Sequence, residues 1–149
     1  NDSKKVSEKR REALYDRILS TCIEAQTAWV DQTVIDEINI LEATKRAFNE
    51  AFSKMQTPIT DVLIDALTGL KISARQHALI HGDALSYSIA AASIVAKVER
   101  DRYMREQDRV FPMYGFAQNK GYGTKAHMDA IREYGPCPLH RRSFIKNLL

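Results

Sequence analysis

Hydrophobic positions in the first third of the chain recur at helical spacing. Leu14, Ile18 and Cys22 follow one another every four residues with charged residues between them, which predicts a first amphipathic helix with Ser7 placed to cap it. That stripe puts Cys22 in the core. Residues 26–31, Gln-Thr-Ala-Trp-Val-Asp, read as a short strand with Trp29 as a core residue. A second helix is expected to start at Thr33, where Asp36 completes a weak capping box. It would bury Ile38, Leu41, Phe48, Phe52 and Met55 and stop at Pro58.

The pattern then changes period. Asp61-Val62-Leu63-Ile64-Asp65 is a short apolar, β-rich run, as in a strand buried on both faces, and His77 to Ile80 reads as another strand ending at Gly82. From Ser86 to Val110 there is neither Gly nor Pro, so one long helix is predicted, small and apolar through Ala96 and densely charged beyond it. Residues 111–123 carry Pro112, Gly115, Gly121 and Gly123 and read as a loop, after which Thr124 caps a last helix that stops at Gly135-Pro136. Strands interleaved with helices indicate an α/β fold.

Composition narrows the class. The 149 residues are 44% hydrophobic and 28% charged, the proportions of one globular domain and not of a disordered or fibrous chain. No apolar run reaches the ~18 residues of a membrane span. Cys22 and Cys137, with no Cys-x-x-Cys and no secretory leader pattern, fit a reducing compartment, so the cytoplasm is the expected location. The net charge of +3 is unevenly spread: residues 1–96 hold 11 Lys/Arg against 13 Asp/Glu, and residues 97–149 hold 11 against 6. A basic C-terminal third suits a polyanionic partner, although a solvated helix face gives the same count.

Two groups of residues could carry chemistry. Asp65 and Asp83 each fall at the end of a predicted strand, where sites form in open α/β sheets. Two carboxylates brought together there favour a hard divalent cation between them, Mg²⁺ or Mn²⁺. Either could instead cap the turn that follows it. In Asn119-Lys120-Gly121-Tyr122-Gly123-Thr124, a tyrosine between glycines beside Lys120 and Lys125 suits stacking on a sugar or base with phosphates alongside, unless the ring folds back onto the core. His140-Arg141-Arg142-Ser143 offers adjacent donors for phosphate, or is a frayed basic tail. His77 and His81 lack a third ligand at zinc spacing, and Cys137 has no adjacent base.

Taken in order, the blocks Asn1-Asp2-Ser3-Lys4-Lys5, Val62-Leu63-Ile64-Asp65, Gly82-Asp83-Ala84-Leu85-Ser86 running into Ser88–Val98, Lys120-Gly121-Tyr122-Gly123-Thr124 and Pro138–Phe144 resemble ribonuclease HII across essentially the whole chain. The resemblance implies a ribonuclease H-like fold and a two-metal endonuclease. Such an enzyme cleaves the RNA strand of RNA/DNA hybrids and the 5′ side of ribonucleotides embedded in duplex DNA, leaving 3′-hydroxyl and 5′-phosphate ends. Asp65 and Asp83 match the third and fourth metal-holding carboxylates. Tyr122 matches the tyrosine that stacks on the deoxyribose after the ribonucleotide, and Ser3, Lys4, Lys120 and Arg142 match nucleic-acid-contacting positions, Lys4 and Arg142 near the scissile phosphate.

The match is incomplete in one respect. The family's Asp-Glu-x-Gly-Arg-Gly segment, which supplies the first two carboxylates and reads the ribose 2′-hydroxyl, has no counterpart in these 149 residues; Asp36-Glu37 runs into Ile38-Asn39-Ile40 on a predicted helix. The expectation is therefore a partial ribonuclease H-like domain lacking the first strands of its sheet. Residues 1–110 would form sheet and helices, and 111–149 a C-terminal substrate-binding region. Alone, the chain is expected to be weak or inactive in cleavage, and an N-terminal fragment or a second copy could complete the sheet. The alternative is a non-catalytic nucleic-acid-binding module on the same scaffold. No membrane partner is expected.

Overall fold

In the computed structural model, which describes residues 6–148, the chain divides into two units. One is formed by the chain up to Val30 with Leu41–Val98, the other by Asp31–Ile40 with the chain from Glu99 onward. Helices α1 (Glu8–Thr21) and α2 (Gln32–Lys54) come first, then strands β1 (Asp61–Asp65) and β2 (Arg75–Leu79), then the single turn α3 (Gly82–Leu85) and the long α4 (Tyr87–Val110). The short α5 (Phe116–Asn119) and α6 (Lys125–Tyr134) follow, with 3₁₀ turns at Pro112–Tyr114 and Arg142–Phe144.

In the first unit β1 and β2 pair in parallel, Asp61 opposite Arg75 and Asp65 opposite Leu79. Among the described residues they are the whole sheet, as expected of a sheet without its first strands. The nine-residue crossover is too short for a helix and is closed by side chains. The Gln76 amide donates to the Leu70 carbonyl and accepts from its N–H (2.8 and 3.0 Å), and Asn49 accepts from Lys71 N–H. Ile64 is 1% exposed but Leu63 is open to solvent, so β1 is buried on one face rather than the two expected. Ile80, Leu85 and Tyr87 are also exposed, Tyr87 at 97%.

Several expectations for the first third are corrected. α1 ends before Cys22, which is exposed, and Ser7 makes no side-chain cap bond. Residues 26–31 form no strand and Trp29 is 48% exposed. Side chains stand where a ladder would be: Lys54 donates to the Thr27 carbonyl, and just before the segment Glu24 accepts from Gln56 and Thr57 N–H. The Gln26 amide and these two N–H groups hold the Glu24 carboxyl down to about 2. The cap of α2 is Asp31, whose Oδ1 accepts from Thr33 and Val34 N–H at 2.9 and 3.1 Å; Asp36 points elsewhere. Leu41 and Phe48 are exposed, leaving Ala43 as the buried residue of α2. At Asn39 (φ 68°, ψ 166°) the helix breaks, so it is not the continuous element the periodicity predicts.

The second unit is built around Met104, Tyr114, Phe116, Ile131, Cys137 and Ile145. Residues 111–123, expected as loop, contain the 3₁₀ turn and α5. Asp108 accepts from Ala117 N–H and Asn119 donates to the Tyr114 carbonyl, so local side chains order what the Gly and Pro content suggested was irregular. Thr124 does cap α6, its Oγ1 accepting from His127 N–H, and α6 stops before Gly135 at φ 73°.

Candidate functional site

Asp65 is the last residue of β1, and its Oδ1 accepts from the N–H of Gly82, the first residue of α3 (2.9 Å). Asp83 is the next residue, half-buried in the first turn. One hydrogen bond from a backbone N–H to a carboxylate oxygen therefore ties the two carboxylate-bearing segments together at the C-terminal end of the parallel pair. The approach depends on Gly82, which is buried: a Cβ there would lie 2.6 Å from Ile89 Cδ1 and 3.4 Å from both Asp65 Cα and Leu79 Cβ. His81 bends the chain into this turn with φ 56°. Hard carboxylate oxygens fit Mg²⁺ or Mn²⁺ in kind, but among the described residues no third His, Cys, Asp or Glu joins them. Away from this point, Asp61 is paired with His77 Nε2 (2.8 Å) and Arg75 (2.9 Å), and these two partners hold its carboxyl below the usual range.

The Tyr122 segment lies in the second unit. Its ring is 59% exposed, while its backbone is clamped on every side. Tyr122 N–H donates to the Asn119 carbonyl, and the Tyr122 carbonyl accepts from Thr124 N–H and His127 Nδ1, each at 2.8 Å. Gly121 (φ 80°) donates to Asn119 Oδ1. A Cβ on Gly121 would meet Met104 Cε at 3.3 Å, whereas one on Gly123 would meet open space. The flanking lysines differ from a phosphate-ready pair: Lys120 is buried with its amine donating to the Ala117 carbonyl, and Lys125 pairs with Asp129.

The end of the chain is ordered rather than frayed. Asp36 accepts from the backbone N–H groups of Arg142 (2.7 Å) and Ser143 (2.9 Å) and from the Ser143 hydroxyl, which fixes the turn that presents the exposed Arg142. The Ser143 hydroxyl, then its N–H, hold the Asp36 carboxyl below its ordinary range. Arg141 lies over the Phe144 ring at 3.8 Å, and His140 is buried, so of the basic run Arg142 is the one left exposed. Cys137 is buried, and burial pushes its thiol up. Asp65 and Asp83 thus share one local site in the first unit, while Lys120, Tyr122 and Arg142 belong to the second; Ser3 and Lys4 lie outside the described residues. Sequence reasoning missed Asp36 and His127 as the groups that hold Arg142 and Tyr122. A carboxylate 106 positions from its partner, and a histidine on the Ile131 face of α6, carry no local signal of that work.

A family model described as ribonuclease HII matches residues 1–147. Proteins named ribonuclease HII from Ruminiclostridium cellulolyticum and Acetivibrio thermocellus are 50% and 52% identical to it over the entire chain. The chain spans 58% of the length of each. A crystal structure of the ribonuclease H2 from Pyrococcus horikoshii superposes with a TM-score of 0.75 at 22% identity, covering 99% of this chain and 78% of that one. At that identity the likeness establishes the fold: a ribonuclease H2-type α/β fold, as the sequence implies.

Proposed function

The chain belongs to the ribonuclease HII family, and from that premise we propose that it supplies the C-terminal part of a metal-dependent endonuclease. The substrates are the RNA strand of RNA/DNA hybrids and the 5′ side of single ribonucleotides within duplex DNA, and the products end in 3′-hydroxyl and 5′-phosphate. The observation that carries this reading is the juxtaposition of Asp65 and Asp83 through the Gly82 N–H at the C-terminal end of the parallel strands. A protein that only bound nucleic acid would have no use for it.

Asp65 and Asp83 would hold Mg²⁺ or Mn²⁺. Bound there, the cation would supply activation of the attacking water and charge neutralisation at the leaving oxygen of the phosphodiester. The Gly82 N–H fixes one oxygen of Asp65, which leaves the other to face a cation. Tyr122 presents its ring to the sugar following the ribonucleotide, and Arg142 offers a bidentate donor to phosphate. Phosphate contacts of this kind make affinity fall as salt rises. Two carboxylates are too few ligands for two ions, so the chain by itself is weak or inactive in cleavage.

Adding a segment that carries the family's Asp-Glu-x-Gly-Arg-Gly motif should restore cleavage of a duplex with one embedded ribonucleotide, and chelation with EDTA should abolish it. A reconstituted protein that leaves this duplex intact in Mg²⁺ and in Mn²⁺ overturns the proposal.

A further inference from the structure

A chain of three hydrogen bonds crosses the buried part of the second unit, and its polarity is set at the Tyr122 end. At one end the backbone N–H of Cys137 donates to His140 Nδ1 (3.0 Å). The same nitrogen also lies 3.3 Å from the Cys137 carbonyl, so the Cys137 end is compatible with either tautomer of His140 and the Tyr122 end decides. At the other end His127 Nδ1 lies 2.8 Å from the Tyr122 carbonyl. A carbonyl cannot donate, so His127 carries its proton on Nδ1 and leaves a lone pair on Nε2. The two inner nitrogens are 3.0 Å apart, so the proton between them belongs to His140: its Nε2–H donates to His127 Nε2, which leaves His140 Nδ1 to accept from the Cys137 N–H. Moving or adding a proton onto His127 Nε2 would set two N–H groups against each other across that 3.0 Å contact.

Both rings are buried, 4% and 7% exposed, among aromatic neighbours. Tyr114 meets His140 edge-on at 4.9 Å and Phe116 meets His127 edge-on at 5.4 Å. Apolar side chains would pack in such surroundings without the desolvation cost of two imidazoles. What the pair provides that an apolar pair would not is a single, directed donor delivered to the Tyr122 carbonyl.

We propose that His127, held in one tautomer by His140, is a positioning residue for Tyr122, fixing the backbone from which the exposed ring meets the sugar of its substrate. The proposal rests on the reading of Tyr122 given above. The donor reaches the backbone and not the ring, so it fixes the point of attachment without itself covering the ring. That is preorganisation, which lowers the ordering cost of binding.

Binding to a DNA duplex with one embedded ribonucleotide, followed by fluorescence anisotropy, tests it. Tyr122→Ala should weaken binding by about tenfold, the loss of one stacking contact. His127→Leu should weaken it by a similar factor, and the double variant should bind no worse than Tyr122→Ala. His127→Asn, which keeps a side-chain N–H for the carbonyl, should recover most of the loss. Full affinity in His127→Leu, or a double variant weakened by the product of the two factors, overturns the proposal. If His127→Leu does not fold, long-range ¹H–¹⁵N NMR of the unaltered protein decides. Protons on His127 Nδ1 and His140 Nε2 are expected, and the opposite tautomer or a charged ring at neutral pH overturns it. Wild-type affinity in Tyr122→Ala would instead sink the reading of Tyr122, and the NMR result would still decide whether the clamp exists.

Discussion

Replacing Gly82 with alanine should destabilise the first unit through one atom. The new Cβ would sit 2.6 Å from Ile89 Cδ1, roughly 1 Å inside ordinary carbon–carbon contact. Ile89 is 6% exposed, so it has little room to turn away. Overpacking of this kind costs ~1–3 kcal/mol, and alanine's helical advantage over glycine, up to ~1 kcal/mol, offsets part of it. The expected net loss is ~1–2 kcal/mol, or about 2–8 °C in Tm for a chain of this size.

A second substitution makes the prediction sharp. Ile89→Val removes Cδ1 and costs ~0.5–1.5 kcal/mol by itself. The remaining neighbours of the Gly82 Cβ, Asp65 Cα and Leu79 Cβ at 3.4 Å, are in normal contact, so Gly82→Ala should then be neutral or mildly stabilising. Thermal and urea unfolding followed by circular dichroism measure the four corners of this cycle. An equal cost of Gly82→Ala in both backgrounds, or none in either, would refute the reasoning.

Around Tyr122 the two glycines should behave differently. Gly121→Ala forces a side chain into φ 80° against Met104 and should lose ~1–2 kcal/mol of stability. Gly123→Ala points into open space and should change stability by less than ~0.5 kcal/mol; comparative urea melts decide. Burial foremost, then the neighbouring His127 and Arg142, lower the His140 pKa below 6.5. The unfolded chain therefore binds the proton first, and His140 stabilises the fold above pH 6.5 and loses that contribution as pH falls toward its lowered value. His140→Asn should flatten this part of the stability profile. Glu24, held near 2 against an ordinary 4.5, contributes above pH 4.5 and loses its contribution between there and pH 2. Glu24→Gln should remove that acid-side slope in unfolding midpoints measured across the range.

What the sequence disclosed was local. The apolar run around Ile64, the Gly- and Pro-free stretch from Ser86 to Val110 and the Thr124 cap each depend on residues a few positions apart, and each appears in the structure with nearly the expected bounds. The misreadings depend on distant partners. Trp29 and residues 26–31 look like a strand, but among the described residues no strand pairs with them, and Glu24 and Lys54 supply bonds instead. Leu41, Phe48 and Leu63 follow a burial pattern that nothing among the described residues covers. At the candidate site, strand ends and glycine flanks single out Asp65, Asp83 and Tyr122; Asp65 does end β1, whereas β2 stops at Leu79 and Asp83 falls in the first turn of α3. Their supports were not legible: Gly82 acts through Ile89, and His127 through His140.

The central claim is that Asp65 and Asp83 hold divalent cations used for cleavage. Cleavage and binding of a ribonucleotide-containing duplex, measured side by side for the reconstituted protein and its Asp83→Asn variant, test it most directly. Metal-dependent 5′ incision is expected from the unaltered protein and none from the variant, which should still bind the duplex as tightly or more tightly. Incision that persists in Asp83→Asn would contradict it.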